Sequence, residues 1–144
     1  MIRLALVAIL GAASVSASAS LALERAPAEV VREIARTTKT ATGQPIALPQ
    51  GPVEVVASIY TLAPGARLPE HKHPFQRYAY VLEGELLVQQ VDSSSRVYHA
   101  GEFVIESVDH WHFGATGGIV PVKLLVIDQL PPGGEVTVNR PAAQ

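Results

Sequence analysis

The chain has no cysteine. That excludes disulfides, thiolate metal sites and a cysteine nucleophile together. No cluster of lysine and arginine stands out among its 144 residues, and the formal charge is only −2. Nucleic acid and anionic membrane surfaces therefore have no electrostatic footprint to read. No internal repeat is visible. The one long apolar run, residues 4–13, falls short of the roughly 20 residues that a membrane-spanning helix needs.

Glycine and proline are plentiful, at eleven each. Their spacing between short apolar stretches suits strands joined by tight turns. Extended segments are predicted at 53–62, 78–91 with a break at Glu83-Gly84-Glu85, 96–99, 102–107, 111–115 and 120–129, with an edge strand at 136–138. Residues 44–48 form a further short edge candidate, since Pro45 lacks the donor that a central strand requires. The N-terminus reads differently. Arg3, the apolar run and then Ala17 and Ala19 in a small-residue stretch follow the pattern of a secretory signal. Cleavage is expected after Ala19, with Ala17 and Ala22 as the alternative sites, and with it a secreted or periplasmic location. Residues 27–37 carry Val30, Val31 and Ile34 at helical spacing, which predicts a short amphipathic helix. The expected layout is a signal at 1–19, helix and linker at 20–50, an all-β barrel at 51–130 and a tail at 131–144.

Histidine placement carries the chemistry. Four of the five histidines fall in two pairs, His71-Lys72-His73 and His110-Trp111-His112. Two histidines separated by one residue on a strand share a face. Neutral imidazole is the commonest metal-ligating side chain, so each pair is half a site. His99 precedes the Ala100-Gly101 turn and receives no role. Glu70, Glu83, Glu85 and Glu106 are acid–base candidates by proximity alone, Glu106 being the one that leads into the second pair.

Gly65, then five residues, His71-Lys72-His73 and later Gly84 resemble the first motif of the cupin superfamily; Gly101, then ten residues and His112 resemble the second. The resemblance covers about 53–129. It implies an antiparallel jelly-roll barrel, also called a double-stranded β-helix. It implies a divalent transition metal (iron, manganese, nickel, copper or zinc) on His71, His73 and His112, and a homodimer. The family's glutamate ligand would stand four residues after His73, where this chain has Arg77. A guanidinium offers only donors and cannot ligate a cation. Gln76, one residue earlier, could ligate through its amide oxygen if the strand shifts by one. The motif's usual proline, glycine and asparagine are replaced by Ser107, Asp109 and Thr116.

Three pictures of the site follow. In one, three histidines with Gln76 or water hold an ion that keeps an open position. In another, Arg77 points inward and anchors an anionic ligand. In the third the histidines hold nothing and the barrel is structural. Arg77, Tyr78 and His110 are the candidate substrate contacts. Tyr78 and Tyr80 line the pocket if Gln76 faces in; if Arg77 faces in, they pack outside. The functional expectation is a small metal-dependent oxygenase, isomerase or lyase acting on a small organic molecule. The alternative is a non-catalytic periplasmic module that binds a metal or a small molecule, with Arg77 as anchor.

Overall fold

β8, Val122–Leu130, sets the pattern for the molecule. Along it burial alternates without a break, Val122, Leu124, Val126, Asp128 and Leu130 facing in. Such strict period-two burial is the mark of a strand with one face on a core. In a computed structural model of the chain, residues 30–92 and 94–142 are described. The folded unit runs from Arg32 onward.

β8 is central to one sheet of order β1-β8-β3-β6, with β1 Glu54–Leu62, β3 Gln76–Glu83 and β6 Phe103–Ile105. The other sheet has the order β5-β4-β7-β2-β9. Its strands are β2 His71–Lys72, β4 Glu85–Gln90, β5 Ser95–His99, β7 His112–Thr116 and β9 Val138–Asn139. All strand pairings are antiparallel. The two inner faces enclose one apolar core that includes Val81, Val88, Val104 and Leu124. No helix among the described residues is long and apolar enough to cross a membrane.

Gly84 turns the chain from β3 into β4. It holds φ +78°, in the left-handed region that glycine enters freely. A Cβ there would lie 2.4 Å from the Pro121 carbonyl oxygen, so neither backbone nor space admits a side chain.

The N-terminal expectations fare differently. The signal segment lies outside the described residues, as do residues 27–29 of the expected helix. Residues 30–37 are described and contain no helix, which corrects the helical reading. Ile34 remains 48% exposed, so in this stretch the apolar stripe gains no burial. A helix this short is marginal in water without a packed face. The expected strand at 44–48 reduces to one bridge between Lys39 and Pro45. That turn is fastened to the barrel through Ser107, whose hydroxyl lies 2.7 Å from Thr42 Oγ1 and donates to Thr40 Oγ1 at 3.2 Å. Serine in place of the motif's proline thus supplies a buried anchor.

Candidate metal centre

His71 on β2 and His73 just beyond its end point to the same side because one residue separates them. His112 opens β7 directly opposite His71 in the strand register. All three are buried, at 6%, 1% and 2% exposure. Their ring centroids stand 4.6 to 5.1 Å apart, and one nitrogen from each lies within 4.8 Å of the others.

The outer nitrogens fix the ring orientation. His71 Nδ1 meets the Pro69 carbonyl at 2.7 Å, His73 Nδ1 the Val136 carbonyl at 2.8 Å, and His112 Nδ1 the His110 carbonyl at 2.9 Å. A carbonyl can only accept, so each Nδ1 carries the proton. Each Nε2 then keeps its lone pair for the interior. A metal-binding histidine is commonly held in this way by a backbone acceptor behind the ring. The loop bearing His110 is tied to the first pair as well: Asp109 N donates to the His73 carbonyl at 2.9 Å. Asp109 holds φ +57°, which accounts for glycine as the motif's usual residue here. Aspartate tolerates that region better than most residues, and its carboxylate takes Lys72 Nζ at 2.7 Å.

Glu106 adjoins the cluster at two of its three rings. It shares the inward phase of Val104, just beyond β6, and its Oε2 lies 2.9 Å from both His73 Nε2 and His112 Nε2. Its backbone is held from two sides: its N–H donates to the Arg77 carbonyl at 3.0 Å, and its carbonyl accepts from Gln76 Nε2 at 2.9 Å. Burial pushes the Glu106 carboxyl up, but His112 and His73 more than offset this, leaving it well below its usual range. Burial draws His112 down while the Glu106 carboxylate raises it, with a net rise. Burial brings His71 down to about 4, so its ring is neutral and ready to ligate at neutral pH.

Arg77 points inward, in phase with Ala79 and Val81. Its Nε donates to Asp128 Oδ1 at 2.7 Å and its Nη2 to Asp128 Oδ2 at 3.1 Å. Only Nη1 is left over, 3.4 Å from His73 Nε2. The anchor expected for an anion is thus largely committed to an internal carboxylate. Gln76 faces away from Arg77 along β3, and its amide donates to the Arg77 and Glu106 carbonyls. It touches the centre only through the backbone of Glu106; the one-residue shift that would turn it inward is absent. Tyr78 is on the outer face, stacked on Phe103 at 6.0 Å, because Arg77 takes the inward phase. The His110 side chain lines a separate groove with Gln90, Val91, Asp92, Asp109 and Trp111. Only its carbonyl serves the cluster.

Beside the histidines is a small cavity of about 30 Å³, walled by Leu68, Leu86, Val88, Leu124 and Val126 and touching Glu106 and His112. An outer hollow of about 260 Å³ shares Tyr60, Leu68, His71 and Arg77 with it and extends to Val136, Thr137 and Asn139. His71 and Arg77 thus stand where the surface meets the interior.

Two atoms report on what the site requires. With each Nδ1 holding the proton, Glu106 Oε2 and His112 Nε2 face each other at 2.9 Å as two acceptors, and neither has a donor among the described residues. Buried polar atoms are rarely left so. A cation at the focus of the Nε2 lone pairs would satisfy them, so the donor set fits a divalent transition metal.

Residues 58–128 match the family model of the cupin domain. This barrel is a cupin. Solved cupin-fold structures align with it. An oxalate oxidase in complex with the substrate analogue glycolate is 30% identical over 59% of this chain and 45% of its own, with a TM-score of 0.51. The DMSP lyase DddQ from Ruegeria pomeroyi is 22% identical over 62% and 45%, at 0.55. The polyketide cyclase RemF from Streptomyces resistomycificus is 22% identical over 69% of each chain, at 0.54. The chain spans less than half the length of that oxalate oxidase and that lyase. No curated protein matches the sequence significantly.

Glu106 and Asp128 are the two residues that the sequence reading undervalued. Each had a signal in strand phase. Asp128 is the only charged residue on the inward phase of β8, and Glu106 follows Val104 by two.

Proposed function

We propose that this protein is a mononuclear metal cupin in which His71, His73 and His112 hold one divalent transition ion that a small organic molecule reaches from the outer hollow. The observation that carries this is the set of three Nδ1–H groups committed to backbone carbonyls, which aims three Nε2 lone pairs inward. When bound, such an ion supplies Lewis acidity and, if redox-active, electron exchange with substrate or dioxygen.

The chain's own residues supply the rest. Leu68, Leu86, Val88, Leu124 and Val126 keep bulk water from the inner cavity. Arg77 Nη1, fixed by the Asp128 fork, offers one oriented donor to a ligand oxygen beside His73. Tyr60 and His71 flank the passage between the hollow and the interior. The cavity beside the centre has little more than a water's volume, so only one end of a small molecule reaches it. The likeness to an oxalate oxidase supports small organic acids as the first class to try. Export from the cytoplasm and a homodimer belong to the same proposal. The dimer is supported by Val55 and Ile59, 60% and 56% exposed on β1 at the edge of its sheet; light scattering giving a monomer mass would exclude it.

A working centre needs a position open to solvent. Loading with Mn(II) and measuring water-proton relaxation tests this. Enhanced relaxation that a small organic acid diminishes is the expected result. Bound Mn(II) with no enhancement would mean a closed, structural site, and the proposal would fail.

A further inference from the structure

His73 and His112 spend their protons on the Val136 and His110 carbonyls, so both Nε2 atoms present lone pairs. Glu106 Oε2, also an acceptor, faces both at 2.9 Å. Acceptors at that distance repel one another unless a positive centre stands among them. Arg77 cannot be that centre: Asp128 holds its fork, and its free Nη1 reaches only His73. A single proton can bridge Oε2 to one ring at a time, whereas a metal ion engages all the acceptors at once. The spacing agrees. Bonds of about 2.1 Å at right angles put neighbouring ligand atoms about 3.0 Å apart.

We infer that Glu106 is the fourth protein ligand of this centre, supplied from the connection after β6, while the position that carries the glutamate in the family motif has been given over to Arg77 and its internal pair with Asp128. The inference rests on the three-histidine centre proposed above and deepens it. Charge supports the exchange. Three neutral imidazoles and one carboxylate carry −1, the Arg77–Asp128 pair carries none, and a divalent ion brings the centre to +1. That residual charge favours an anionic group at an open position. A carboxylate among three imidazoles also suits harder divalent ions better than copper(I). Gln76 and the Arg77 carbonyl act as positioning groups, since they fix the Glu106 backbone from both sides.

The test is a titration with Co(II), whose visible spectrum reports its ligands, on metal-depleted wild type, Glu106→Gln and His71→Gln/His73→Gln. Wild type is expected to take one equivalent. Glu106→Gln should bind Co(II) at least about tenfold more weakly, with altered bands; the double histidine variant should bind none. Wild-type affinity and an unchanged spectrum in Glu106→Gln would overturn the assignment of Glu106 while leaving the histidine centre standing. Absence of binding by wild type would overturn both. Circular dichroism checks that Glu106→Gln is folded. If it is not, Glu106→Asp, which keeps the charge and withdraws the oxygen by one methylene, takes its place. Undiminished affinity in that variant counts against the inference.

Discussion

Arg77 and Asp128 face each other across β3 and β8 as register partners and are joined by two hydrogen bonds, one from Nε and one from Nη2. Both are about 95% buried. A buried pair of this kind is not by itself strong evidence of stabilisation, because desolvation offsets much of the attraction. Breaking it is another matter. Asp128→Asn leaves a charged guanidinium in the core and is expected to cost about 3–5 kcal/mol in denaturant unfolding. The double replacement Arg77→Met/Asp128→Leu should recover most of that loss. If the single variant unfolds like wild type, the pair is solvated and the geometry of the inner face needs revision.

Gly84 gives a second prediction. Alanine there faces both the positive φ and the Pro121 carbonyl oxygen at 2.4 Å. The two together should destabilise by about 2–4 kcal/mol. A chemical denaturation midpoint within error of wild type would show that the β3–β4 turn is free to move.

The metal-free protein should lose stability as the pH falls from about 6.5 towards about 4.5. His71 is the reason. Burial brings its folded pKa to about 4 from an ordinary 6.5, so in this window only the unfolded chain takes up its proton. Glu106 and His112 add no slope there. The Glu106 carboxyl, depressed in the fold, contributes stability present above its ordinary 4.5 and lost only below it. His112, raised in the fold, contributes stability that is complete below 6.5 and lost at higher pH. Thermal melts from pH 7 to 4.5 should therefore fall in wild type and flatten in His71→Gln. Equal slopes in the two would contradict the assignment.

Tyr78 and His110 should be dispensable for metal binding. One is stacked on the outer face, and the other meets the centre only through its carbonyl. Tyr78→Phe and His110→Gln are expected to keep wild-type metal affinity. Gln76→Leu should weaken it, because the Glu106 carbonyl loses the amide that holds it. Calorimetric titration of the three variants separates these outcomes.

The barrel was legible in the sequence because its strands are amphipathic and its turns carry glycine and proline. The break at Glu83-Gly84-Glu85 and the strand ending at Leu62 were read to within a residue. His71 and His73 were legible as a pair from their spacing of two along a strand. The same spacing marks His110 and His112 alike, and only the likeness to the cupin motif singles out His112; the His110 side chain lies in a separate groove. Gln76 and Arg77 could not be told apart in advance: neighbouring residues on a strand face opposite ways, and phase depends on the Arg77–Asp128 pairing across β8, a partner far away in sequence. Glu106 was dim for a related reason, since it meets His73 and His112 only after two sheets close. The helical stripe at 30–37 misled because periodicity counts apolar positions without asking what would cover them.

The most direct test of the account is elemental analysis of purified protein, prepared without a metal-binding tag, beside the His71→Gln/His73→Gln variant. The account expects about one equivalent of a transition metal in the wild type, or uptake of one on incubation with Fe(II), Mn(II), Ni(II) or Zn(II), and none in the variant. A wild-type protein that holds no metal and takes up none would contradict it, leaving the inward-facing histidines to the structure of the barrel.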